Sequence, residues 1–209
     1  MKGFLTTDRL RSFSDSVLIV GVVLLVYNLA TLVTSEPEFF EPDVFYHALI
    51  AYICSFIVVF FYWSRFTLLL DYAENLEGVT IFTSLVFLVF LVTVTLTSVA
   101  LIGLVELRNK YSLIFSCIVQ ILAGILLITL VNIIKTQRTL GHKGRYFLIQ
   151  VCVIPIVYTI SLVVSFLYYG IAVIIPISIL PILLILKISY QKRFKDKYSS
   201  SSHQLVILE

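Results

Sequence analysis

Charge is what this chain has least of. Asp, Glu, Lys and Arg together make up 13% of its 209 residues, about half the share usual in a soluble domain. A chain with so few charges cannot cover a water-exposed surface of this length, which excludes an ordinary soluble fold. The formal net charge of +3 is too small for a nucleic-acid partner. Catalytic signatures are missing as well: there is no nucleotide-binding P-loop, Gly-rich dinucleotide turn, metal-binding His pair or Ser-His-Asp set at membrane depth. His47, His142 and His203 are scattered, and Cys54, Cys117 and Cys152 show neither paired spacing nor nearby ligands. The three thiols read as small apolar side chains. No enzyme, catalytic residue, metal or cofactor is expected. The potassium-filter run Thr-Val-Gly-Tyr-Gly and a row of voltage-sensing arginines are also lacking. No ionisable residue lies in the middle third of any long apolar run, which argues against a proton-coupled pump.

What fills the chain instead is apolar: 60% of the residues are hydrophobic and the mean hydropathy is +1.05. The expectation is an all-α integral membrane protein. Charge-free runs place spans near 16–34, 44–63, 79–105 and 111–134, each close to or above the roughly 20 residues that cross the hydrocarbon. A fifth uncharged run, 146–186, would be about twice the bilayer thickness as one straight helix, so it must fold back. The turn is expected at Tyr168-Tyr169-Gly170, giving spans near 146–168 and 171–187. Six spans put Lys2, Arg9, Arg11, Arg65, Lys135, Arg138, Lys143, Arg145, Lys187, Lys192, Arg193, Lys195 and Lys197 on one side and leave Arg108 and Lys110 on the other. The positive-inside rule then makes both termini cytoplasmic, with Glu36, Glu38, Glu41 and Asp43 outside. The layout is a six-helix membrane domain over 1–190 and a basic, then Ser-rich tail over 191–209. A cleaved signal peptide in place of the first span fits less well, because its apolar core is long and starts late.

Within the first span, Ser16, Val20, Leu24, Tyr27 and Thr31 recur at steps of four or three and share one helix face. Such a stripe can line a pore whose apolar waist excludes water. Periodicity by itself favours a helix that merely packs, since branched aliphatics occur on every face of membrane helices. Asn28, Gln120, Asn132 and Gln150 are candidates for interhelical hydrogen bonds, and Thr93, Thr95, Thr97 and Ser98 for bonds back to their own helix. Gly21, Gly103 and Gly124 allow close helix approach, while Pro155, Pro176 and Pro181 should kink the last two spans.

Arg9, three residues, then Phe13-Ser14-Asp15 running straight into Ser-Val-Leu-Ile-Val20-Gly-Val-Val-Leu24 resembles the first-helix signature of the transmembrane-protein-175 family, the endosomal and lysosomal potassium channels and their single-repeat prokaryotic relatives. Tyr52 to Trp63, a short polar link containing Arg65, and the aliphatic run Leu85 to Gly103 look similar too. The resemblance implies a homotetramer of six-helix subunits in a prokaryotic plasma membrane, in contact with membrane lipid. First helices would line a pore that passes K+ and other monovalent cations. It puts the constriction at Val20, with Leu24 and Tyr27 on the same face, and gives Arg9, Phe13, Ser14 and Asp15 a structural part in holding the helix against its neighbours. Val23 stands where prokaryotic members commonly have Thr, so no hydroxyl layer is carried over at that selectivity position. Ser16 replaces a usual Gly, and Phe66 and Thr67 follow Trp63 where many members have His. From another class, a non-conducting membrane scaffold or a small-solute transporter fits the same hydropathy, with the Pro176 and Pro181 pair as the transporter's broken helix.

Overall fold

The computed structural model describes residues 6–35, 42–73, 77–107, 110–137, 141–179, 181–186 and 188–189. The acidic residues Glu36, Glu38 and Glu41 and the tail 191–209 lie outside these residues, as do the side chains of Asn28, Thr31, Asp43, His47 and Ser98. All regular structure among the described residues is helical. Five long helices come first: α1 Thr7–Ser35, α2 Pro42–Tyr72, α3 Gly78–Leu107, α4 Lys110–Gln137 and α5 Gly141–Leu167. Each is long and apolar enough to cross a membrane, and the chain is a multi-pass membrane protein. In a bilayer this is the expected economy of structure, because a helix satisfies its backbone internally where no water is at hand.

Helices α1 and α2 outrun the charge-free segments. Helix α1 starts at Thr7 rather than near Ser16, and α2 continues to Tyr72, so Arg65, expected in a polar link, is inside a helix. The reason is that these charges are accommodated. The Arg65 guanidinium lies over the Phe61 ring at 5.0 Å and the Phe147 ring at 5.8 Å, close enough for cation–π attraction that ties α2 to α5. Arg11 and Asp71 pair with each other.

Beyond α5 the chain folds back within Tyr168-Tyr169-Gly170: the turn is made by an extended Tyr168 (φ −139°, ψ 92°), and Gly170 is already inside the next helix. Helix α6, Tyr169–Ile174, is followed by a 3₁₀ turn over Ile175–Ser178 and helical residues 181–186. Proline explains the interruption. Pro176 has no N–H to give the Ala172 carbonyl four residues earlier. The Ser161 hydroxyl of α5 supplies the missing donor at 2.7 Å, and the Cys117 thiol of α4 donates to Ser161 Oγ at 3.7 Å. A side-chain relay from two neighbouring helices therefore satisfies the backbone that proline leaves open.

Helix α3 is the hub, packing against α1, α2 and α4, while α5 lies on α4 and α6 on α5. Its contact with α2 is aromatic: Phe87 sits 5.2 Å from the Phe66 ring and 6.2 Å from the Tyr62 ring, all fully buried. The Tyr62 hydroxyl donates to the Gln120 carbonyl at 3.0 Å, so the buried phenol is not left unpaired. Thr93, Thr95 and Thr97 bond back to Val89, Val92 and Val94 of their own helix, as expected of hydroxyls in membrane helices. Between α4 and α5 the closest approach is at Gly124, where an added Cβ would stand 2.8 Å from the Pro155 ring. A ring cannot swing aside. Gly124→Ala should therefore cost roughly 1–3 kcal/mol by overpacking, seen as a lower melting temperature in detergent. Gly170→Ala, where a Cβ meets open space, should leave that temperature unchanged.

Candidate pore helix and its seating

The N-terminal part of α1 is fixed by polar contacts to α2. Asp15 Oδ1 accepts a hydrogen bond from Trp63 Nε1 at 3.2 Å. One turn earlier, Arg11 donates to the Thr67 carbonyl at 3.5 Å and ion-pairs with Asp71. Residues 11 and 15 of α1 thus meet 71, 67 and 63 of α2 in antiparallel order, each step being one helical turn. Thr67 turns its own hydroxyl back on the Trp63 and Ser64 carbonyls, which leaves its carbonyl for Arg11. Thr6 Oγ1 accepts from the Arg9 backbone N–H at 3.5 Å, the N-cap arrangement that starts the helix. Leu10 and Ser14 are buried on the packed side, Ser14 with no hydrogen-bond partner for its hydroxyl, whereas Arg9 and Phe13 are exposed. Of the signature residues, then, Ser14 and Asp15 face the subunit and Arg9 and Phe13 face away from it.

Further along α1 the two sides diverge. Gly21 and Leu25 are buried against the bundle. Opposite them Val20 is 53%, Val23 59% and Tyr27 63% exposed, with Ser16 exposed below and its hydroxyl bonded back to the Ser12 carbonyl at 3.1 Å. Leu24 stands at the edge of this open face, half-buried, because a residue four positions after Val20 advances 400° and not 360°. The open face is apolar over two turns and has a hydroxyl or phenol at either end. Of the five long helices, α1 is the least enclosed by its own subunit.

The model of the family described as endosomal/lysosomal potassium channel TMEM175 matches residues 9–94. Over that segment the chain is similar to the family. The match opens at Arg9, takes in the whole seating contact and closes within α3. No curated protein and no solved structure matches the chain. TMEM175 is a channel family and not an enzyme family, in keeping with the lack of catalytic motifs.

Sequence reasoning placed Asp15 in a packed, hydrogen-bonded setting but did not find its partner. Trp63 is the single tryptophan of the chain and lies 48 residues away, and no spacing rule links one helix to a register on another. Of the two residues singled out after Trp63, Phe66 sits in the aromatic core and Thr67 is the Arg11 acceptor. Gln120 departs from its expected part. Its side-chain amide is fully buried without a hydrogen-bond partner, and its backbone carbonyl is what joins α4 to α2. Gln150 is buried and Asn132 exposed. Among the described residues no group of His, Cys, Asp or Glu could hold a metal. Cys117 is buried and Cys54 and Cys152 half-buried, all three as free thiols.

The seating makes a graded prediction. Trp63→Phe strips the Asp15 carboxylate of its indole donor and should cost about 1.5–3 kcal/mol, the range for a hydrogen bond to a charged group. Arg11→Ala, at a half-exposed ion pair, should cost under about 1 kcal/mol. Chemical denaturation in mixed micelles checks the order, and Asp15→Asn, which keeps an acceptor for the indole, should fall between the two.

Proposed function

We propose that four copies of this chain form a channel that passes K+ and other monovalent cations along their common axis, with the first helices of the four subunits lining it. Each subunit would cross the membrane six times, the sixth through the proline-broken stretch 171–187, with both termini in the cytoplasm of a prokaryotic cell and the basic tail 191–209 beside the inner leaflet. One observation carries this reading: in a segment similar to a potassium-channel family, α1 is pinned on one side and leaves an apolar face open on the other. That face needs either lipid or identical neighbours. The Ser16 and Tyr27 ends favour an axis with water above and below an apolar waist.

In this arrangement Val20 forms the constriction, Val23 the layer above it and Tyr27 the outer end, with Leu24 lying between Val20 of its own helix and the next subunit. Arg9 and Phe13, exposed in the single subunit, would be covered by the neighbour or stand at the cytoplasmic mouth. Asp15 belongs to the seating and does not touch ions. A ring of aliphatic side chains offers no ligands to replace an ion's hydration, and bare stripping would cost tens of kcal/mol. Permeation therefore requires a ring wide enough for a partly hydrated ion, and a narrower one closes by dewetting. With Val at position 23 no hydroxyl layer sorts K+ from Na+, so selectivity is weak and set by width.

Reconstituted into liposomes, the protein should release K+ down its gradient, and Val20→Ala should raise the rate severalfold, with Leu24→Ala giving a smaller rise. Currents unaltered by both substitutions would remove the pore from this face. Saturable uptake of a solute would point to the transporter reading, and no flux at all, with a monomer on crosslinking, to a scaffold.

A further inference from the structure

We infer that the contact between Gly21 on α1 and Thr95 on α3 sets the width of the Val20 ring. The inference rests on the pore reading above and assigns its positioning residues. Gly21 follows Val20 directly but looks the other way: at 100° per residue, the packed face holding Leu10, Ser14, Gly21 and Leu25 is centred roughly 150° from the open one. A Cβ added at Gly21 would stand 3.0 Å from Thr95 Cγ2. That methyl is not free to turn away. Thr95 is fully buried, and its hydroxyl is held at 2.6 Å on the Val92 carbonyl of its own helix, which fixes the side-chain rotamer and aims the methyl at α1.

Position 21 is thus a spacer between the helix that would line the pore and the hub helix behind it. Below it, Asp15 and Arg11 clamp α1 to α2. A shift at Gly21 therefore tilts the helix about its clamped end and does not slide it bodily. At 1.5 Å per residue Gly21 lies about 9 Å above Asp15 and Tyr27 about 18 Å, so a displacement at the spacer roughly doubles at the outer end. Added bulk at position 21 drives α1 away from α3, which is toward the axis, and four copies do so at once. Removing the Thr95 methyl lets α1 settle back and opens the ring. The width of the constriction is then decided by two residues that ions never meet.

The test measures K+ efflux from liposomes for Gly21→Ala, Thr95→Ser and the double variant, with oligomeric state and melting temperature measured on each. Gly21→Ala should lower efflux severalfold. Thr95→Ser keeps the hydroxyl bond and loses only the methyl, so it should raise efflux alone and restore it toward wild type in the double variant. A merely structural contact would change the melting temperature without this opposed pair of flux changes. Should Gly21→Ala fail to assemble, Thr95→Ser decides by itself: efflux equal to wild type overturns the inference. If Val20→Ala raises efflux while Gly21→Ala and Thr95→Ser are both silent, the spacer is refuted and the pore stands. If Val20→Ala and Leu24→Ala are silent as well, it is the pore reading that has failed.

Discussion

The hydrogen bond from the Trp63 indole to the Asp15 carboxylate governs how this subunit presents its first helix. A carboxylate at the entry to an apolar span is costly unless it is paired, and here a single donor on α2 meets that need. Arg11 repeats the contact one turn below. Two fixed points along one side of a helix determine its rotation about its own axis. Once Asp15 and Arg11 face α2, Gly21 and Leu25 must face the bundle, and Val20, Val23 and Tyr27 must face away.

Satisfying polar groups internally shapes the rest of the bundle too. The start of α1 and the end of α2 stay helical through Arg11, Asp15, Arg65 and Asp71 because each of these four finds a counter-charge, an indole or an aromatic face. At the far side, Pro176 leaves the Ala172 carbonyl without its helical donor, and the Cys117 and Ser161 relay closes the gap. The small and hydroxylated residues do different work in different places. Gly124 lets α4 approach the Pro155 ring, whereas Ser161 supplies a proton to a broken helix. Both depend on side chains from the facing helix, and in hydrocarbon, where apolar burial against lipid gains little, such close contacts carry much of the packing.

The long helix least enclosed by its own subunit is the one that opens the segment similar to the TMEM175 family. Helix α1 leans on α2 and α3 only along one side, so its other side is available to lipid or to further copies of the chain. The proposed channel uses this asymmetry directly: the polar clamp is placed where rigidity is needed, at the N-terminal part of α1, and the spacing to α3 is left to a glycine and a methyl group. Ring width then follows from packing behind the pore, while the pore surface itself stays apolar.

Composition and hydropathy by themselves determined that the protein is helical and membrane-embedded, because long runs without charge have few other stable states in water or lipid. Arg9 and Phe13-Ser14-Asp15 were enough to mark the similarity to the TMEM175 family, and steps of four and three put Val20 and Tyr27 on one face. The same pattern placed Leu24 with them, although the drift of a 3.6-residue helix turns Leu24 to the edge and brings Val23 to the middle. Which face is covered follows from packing, since it depends on Trp63, Thr67 and Asp71 arriving from another helix. Only the tertiary structure decided that Gly21 meets Thr95 and that Ser161 completes a carbonyl next to Pro176. Period and composition are properties of one segment and can be read along it. Partnership across helices depends on crossing angle and register, which exist only when the segments are packed.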